Sequence, residues 1–185
     1  AGERVESSRR QLSATLENTP NVAVQWYDNL GKVIYWNTAS EQLYGWSADE
    51  AMGKTLDRLI FTRDDAARCS SVFDEVLATG KPDGPTEYAT RTRSDELRWV
   101  ESTAFLIPGT DSAQKILVCM DVDVTERKLA EQKLAEFNRD FEGFLNQTTD
   151  FVYFKDADSR FRFCSQTLAD ITGHASWRDL IGKHD

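Results

Sequence analysis

Around Asp123 the chain changes its hydrophobic period, and that change limits what it can fold into. Upstream, Ile116-Leu117-Val118-Cys119-Met120 has the apolar character and period of two of a strand. Downstream, Ala130, Leu134, Phe137, Phe141 and Phe144 recur at alternating spacings of four and three, the period of a helix face. Asp121-Val122-Asp123-Val124-Thr125-Glu126-Arg127-Lys128 therefore ends a strand and begins a helix within one short segment. Asp123 or Thr125 is placed to cap that helix, a side-chain oxygen accepting from backbone N–H groups that lack a partner. A displacement of the strand must push or twist the helix behind it.

The remaining elements follow in order. Residues 2–17 read as an amphipathic helix with Val5, Leu12 and Leu16 on one side and a coiled-coil seam interrupted by Arg9. Pro20 stops it. Val22–Tyr27 and Lys32–Trp36 read as strands joined by the turn Asp28-Asn29-Leu30-Gly31. Asn37 stands at an N-cap ahead of a short helix ending at Leu43-Tyr44-Gly45. Ser47-Ala48-Asp49-Glu50 fits a capping box for a second helix, which ends at Gly53. Thr62 with Asp65 opens a longer helix whose apolar face is Ala66, Cys69, Val72, Phe73, Val76 and Leu77, closed by Gly80. Three strands are expected at about 86–93, 97–107 and 114–124, separated by Ser94-Asp95-Glu96 and Pro108-Gly109-Thr110-Asp111-Ser112. This order predicts an α+β fold, an antiparallel sheet with helices on one side, and not a doubly wound parallel sheet.

Composition narrows the function classes. A net charge of −9 argues against nucleic acid, whose phosphates reward Lys and Arg. No apolar run approaches the ~20 residues of a membrane span, and no secretory leader is visible. Cys69, Cys119 and Cys164 form no CxxC pair, so free thiols in a reducing cytoplasm are expected. The chain opens without an initiating Met, which leads us to expect a piece of a longer protein. No metal-ligand spacing, no nucleophile with a base and no phosphate-cradling glycine loop is present, so the segment is expected not to be an enzyme.

Past the long helix the pattern begins again. Asp150–Asp156 matches Val22–Asp28 in strand character and closing Asp; Arg160-Phe161-Arg162-Phe163 replaces the second strand. Ile171-Thr172-Gly173 answers Leu43-Tyr44-Gly45. After a one-residue insertion, Ser176-Trp177-Arg178-Asp179 answers the capping box and Gly182-Lys183 answers Gly53-Lys54. Together the Asp28–Gly31 turn, the run from Asn37 to Lys54, Arg98-Trp99-Val100-Glu101 and Asp123-Val124-Thr125-Glu126-Arg127 make the chain resemble PAS domains, sensory modules of bacterial signalling proteins. The resemblance divides it into an N-terminal helix (1–18), a complete PAS domain (19–125), a signalling helix (126–147) and the first half of a second PAS domain (148–185).

That resemblance implies a five-stranded antiparallel sheet with helices across one face and a ligand cleft between them. It also implies homodimerisation through flanking helices and control of a histidine kinase, diguanylate cyclase or phosphodiesterase. On this reading Gln25, Trp36, Asn37, Cys69, Phe73 and Glu101 are cleft candidates for a small-molecule ligand. Asp123, Thr125, Glu126 and Arg127 form the signalling hinge, and Ala130, Leu134, Phe137, Phe141 and Phe144 a dimer seam at heptad spacing.

The cofactor is open. Cys69 falls where haem PAS domains place their iron-binding His, and a thiolate can ligate iron; free Cys also serves as a small apolar packing residue. His174 and His184 both lie in the second copy, so a His-ligated haem is excluded from the first. Thr55-Leu56-Asp57-Arg58-Leu59-Ile60-Phe61 lacks the reactive Cys of light-oxygen-voltage photochemistry. Trp26, Trp36, Trp46 and Trp99 offer stacking surfaces for a non-covalent flavin, or simply fill the core. Arg91, Arg93 and Arg98 alternate as on a solvated sheet face.

Overall fold

The structure is a computed structural model that describes residues 14–17, 19–61, 63–109 and 114–184, without the side chains of residues 63, 64 and 66. Of the helix read over residues 2–17, only 14–17 are described, and these are helical. Val5, Arg9, Leu12, the opening residue Thr62 and the side chain of Ala66 lie outside the described residues. Two compact units divide the chain, residues 1–128 and 129–185.

In the first unit, β1 (Val22–Tyr27) and β2 (Val33–Trp36) lead to α1 (Thr38–Tyr44), α2 (Ala48–Ala51) and a 3₁₀ turn (Leu56–Arg58). Then come α3 (Arg63–Thr79), β3 (Asp83–Arg91), β4 (Leu97–Pro108) and β5 (Lys115–Asp123). The strands form one antiparallel sheet in the order β2-β1-β5-β4-β3. Turn chemistry sets the first hairpin. The Asp28 carboxylate accepts from the N–H groups of Leu30 and Lys32, both at 2.9 Å, and Gly31 takes φ +72°, a left-handed conformation that costs glycine no Cβ clash. Helices cover one face of the sheet. Cys69 and Val76 of α3 are buried with Tyr27, Val100, Ala104, Leu117 and Cys119 of the strands, so the α3 stripe read from period 3.6 is the buried one.

Asn37 locks α1 to the sheet. Its Oδ1 accepts from the N–H of Ser40, as an N-cap, and from the N–H of Val24 in β1, each at 2.9 Å. Its amide nitrogen donates to the carbonyls of Leu16 (3.0 Å) and Val22 (3.1 Å). The side chain has no solvent exposure, so each bond must be made within the protein.

The second unit takes most of α4 (Thr125–Gln147), followed by β6 (Tyr153–Lys155), β7 (Phe161–Cys164), α5 (Gln166–Ile171) and a 3₁₀ turn (Trp177–Leu180). Its core is Leu145, Cys164, Ala169, Trp177 and Leu180, flanked by Phe141, Phe161 and Phe163. The hairpin repeats β1–β2 residue for residue, including a bulge. Gln25 faces Trp36 and Tyr27 faces Val33; Tyr153 faces Cys164 and Lys155 faces Phe161. Asp156 accepts from the N–H groups of Asp158 and Arg160 at 2.9 Å, as Asp28 does in its own turn. The backbone pair joining Val33 to Gly53 and Lys54 recurs between Phe161 and Gly182 and Lys183. Ser165 takes the place of Asn37, accepting from Val152 and Leu168.

Asn37→Ala should destabilise the first unit by roughly 2–4 kcal/mol, a lost cap plus orphaned buried groups. Asn37→Ser, the residue type at 165, should restore only part. Urea unfolding followed at the backbone NMR signals of β1 and β5 measures this. A loss below about 1 kcal/mol would reduce Asn37 to an ordinary cap.

Candidate functional site

Between the helices and the inner sheet face, β5 contributes an acid to the apolar core. Period two puts Leu117, Cys119 and Asp121 on one face, and all three are buried. A buried carboxylate needs partners. The Tyr44 hydroxyl, from the last turn of α1, donates to Asp121 Oδ2 at 2.7 Å. Ser102 of β4 and Gln25 of β1 supply further hydrogen bonds to the carboxyl. Gln25 also donates to the Ser40 hydroxyl at 3.2 Å and accepts from the Tyr27 hydroxyl at 3.4 Å. Burial pushes the Asp121 carboxyl above the usual carboxylate range, against the pull of these donors. Burial also raises the Tyr44 and Cys119 protons well above their ordinary values, with the Asp121 charge adding to it.

This polar group opens onto a cleft walled by Ile60, Phe61, Val72, Phe73, Tyr88 and Val100, with Asp83 a second acid on its lining. The free space inside is about 20 Å³, room for a single water. Leu56, Phe61, Cys69 and Phe73 also line a neighbouring groove of about 220 Å³, so they form a wall shared by cleft and groove. Small-molecule sites generally span about 300–1,000 Å³, so the cleft as it stands is smaller than such a site. Burial pushes the Cys69 thiol to about 12, helped by the Asp121 charge, which is unsuited to a thiolate ligand.

Of the six cleft candidates, Gln25, Cys69 and Phe73 line the cleft. Three do not. Trp36 is buried beside it, its indole donating to the Trp46 carbonyl at 3.1 Å. Asn37 is consumed by the lock described above. Glu101 stands on the opposite sheet face from Ser102, half-exposed and 3.9 Å from Arg127. Sequence reasoning missed Asp121, Tyr44 and Ser102. The signal available for Asp121 was its phase with Leu117 and Cys119.

Two residues beyond Asp121 the same strand makes the joint to α4. Asp123 Oδ1 accepts from the Thr125 N–H at 2.8 Å and so caps the helix. Thr125 is not the cap, because its hydroxyl accepts from the Trp99 N–H of β4 at 2.9 Å. The Val124 N–H donates to the Trp99 carbonyl at 2.8 Å. Arg127 pairs with Glu87 of β3 at 2.8 Å, and Lys128 binds the same carboxylate while lying 5.2 Å from the Trp99 ring centre. These two cations hold the Glu87 carboxyl below its ordinary range. Glu126 is exposed in the first turn, where negative charge suits the helix dipole.

On the helix itself the seam is split. Phe141 packs edge-on against Phe163 (ring centres 4.9 Å apart) inside its own unit, and the fully buried position there is Leu145. Ala130, Leu134 (61%), Phe137 (65%) and Phe144 (51%) are exposed.

The sequence profile of the family described as PAS fold matches residues 16–129, more than half of the chain. The chain belongs to this family. Solved structures agree on the fold. A PAS domain from Colwellia psychrerythraea is 21% identical with a TM-score of 0.56, covering 63% of this chain and 97% of that one. The PAS domain of an HTR-like protein from Haloarcula marismortui is 17% identical with a TM-score of 0.53, covering 66% and 96%. An RNA-binding light-oxygen-voltage receptor is 20% identical with a TM-score of 0.58, covering 71% of this chain but 37% of that one. At these identities the likeness is one of fold. None of the curated proteins searched matches the chain. Among the described residues no helix of this PAS chain is long and apolar enough to cross a membrane.

The raised pKa of Asp121 has a sign that can be measured. The native state holds this proton longer than the unfolded chain does. Stability therefore falls as pH rises from the unfolded value, about 3.9, through the raised folded one. Asp121→Asn should gain on the unmodified protein through that interval and level off above it. A pH-independent difference between the two would show that the carboxyl ionises alike folded and unfolded. Tyr44→Phe should cost roughly 1.5–3 kcal/mol at neutral pH, where a carboxylate would lose its donor.

Proposed function

We propose that this PAS chain is a non-enzymatic sensory and dimerisation module of a bacterial, cytoplasmic signalling protein. It senses at the cleft around Asp121 and passes the change through residues 123–127 to α4. Its output partner would be a histidine kinase, a diguanylate cyclase or a phosphodiesterase. The observation that carries this reading is the spacing of two acids on β5: Asp121 lies in the cleft and Asp123 caps α4. A ligand that spreads the cleft must move β5 against β1 or β4, and β4 holds Thr125 and Val124 through Trp99. The small volume of the cleft implies that a ligand enters by displacing the wall of Leu56, Phe61, Cys69 and Phe73.

Association supplies the second half of the function. Leu134 and Phe137 are large, apolar and more than half exposed on one face of α4. A second copy of the chain placed in parallel would cover them, at coiled-coil spacing.

Two measurements test this reading. Ala104→Leu fills the cleft from β4 without touching the joint, so it mimics occupancy. It should change amide exchange at Trp99 and Val124 by several-fold while leaving β2 as it was. Changes confined to the cleft lining would break the proposed route. Separately, Leu134→Glu with Phe137→Glu should convert a dimer to a monomer in sedimentation; a dimer that survives both must be built on another surface.

A further inference from the structure

The sheet face opposite the cleft carries two local misfits that offset each other. Glu87 of β3 and Glu101 of β4 stand directly opposite in the antiparallel register. Their chain neighbours Tyr88 and Ser102 line the cleft, so the two acids share the outer face. Like charges facing each other across a strand pair are destabilising. The first turn of α4, for its part, holds Arg127 and Lys128. The positive end of the helix dipole lies at that turn, so cations are as badly placed there as the acids are on the sheet. Neither pair has a local reason to be where it is.

Contact between them removes both misfits. Arg127 lies 2.8 Å from Glu87 and 3.9 Å from Glu101, so one guanidinium spans the acid pair. Lys128 takes the second oxygen of Glu87, with its ammonium also 5.2 Å from the Trp99 ring centre. Glu87 is thus the acid that both cations share. The backbone ties of the joint run to β4, through Trp99. This cluster adds β3, the edge strand, which pairs with β4 alone. All four charged side chains keep some exposure, from 22% for Lys128 to 46% for Arg127, so dissolved salt reaches them.

We infer that Glu87 and Glu101 form an acidic seat for the first turn of α4, with Glu87 as the positioning residue. Seating the helix neutralises the facing acids, and lifting it restores their repulsion along with the unfavourable charge at the helix end. The seat is therefore an electrostatic latch on the outer sheet face, and salt loosens it. It concerns how the helix is held and stands whether or not the cleft takes a ligand.

Amide exchange and urea unfolding of the 185-residue chain test it. The Lys128 N–H, bonded to the Val124 carbonyl at 2.9 Å, reports on the seat. Glu87→Gln keeps the shape and removes the charge. Exchange at Lys128 should rise about threefold or more, with Cys119 of β5 unchanged. Salt at about 0.5 M should do the same to the unmodified chain. The decisive readout is a change of sign. With Arg127→Gln and Lys128→Gln in place the acids face each other without cations. Adding Glu87→Gln should then raise the urea midpoint, followed at the β5 signals, where in the unmodified chain it lowers it. A midpoint lowered in both backgrounds overturns the seat. So does Lys128 exchange that ignores both Glu87→Gln and salt, or a rise that Cys119 shares equally.

Discussion

Strand β5 is paired on both edges, and the first unit depends on that double pairing. Six residue pairs join it to β1 and nine join it to β4, so it cannot slide without breaking ladders on both sides. A one-residue slip would turn Leu117, Cys119 and Asp121 outward together. The hydrogen bond from Tyr44 to Asp121 fixes the same register from the helical side, because only one phase of the strand offers that carboxylate to α1. Helix position and strand register therefore specify each other across the core. A buried acid is a costly way to gain this, since hydrophobic packing alone would be cheaper in free energy.

The elements were largely legible because each rests on local chemistry. Val22–Tyr27 is bounded by turn formers, and Gly45, Gly53 and Gly80 end their helices in left-handed conformations. Gln25, Cys69 and Phe73, named as cleft candidates by the family resemblance, line the cleft. Glu101 does not, because alternation gives two faces without saying which is inner; only the pairing with β5 decides. Tyr44 and Asp121 are 77 residues apart in sequence, and no local pattern joins them. Thr125 looked like a cap because Ser, Thr and Asp compete for that role within two residues. Phe141 illustrates another limit: a stripe at helical spacing says that a face will be covered, not by which surface.

The two halves of the repeat separate what the fold requires from what it tolerates. The turn acid, the bulge, the cap and the backbone pair to the glycine after the capping box recur in both units. The inward side chains do not recur. A backbone frame held by its own hydrogen bonds leaves the inward side chains free to differ between the two units.

Trp99 is the point at which β4 and α4 are joined by both backbone and side chain. Its backbone holds Thr125 and Val124, and the Lys128 ammonium lies 5.2 Å from its ring centre. A cation over an indole face is attracted by the ring quadrupole, and the same ammonium is anchored to Glu87 of β3, so strand, ring and helix meet at this one charge. Trp99 is thus tied to the first turn of α4 both by its backbone and by its ring.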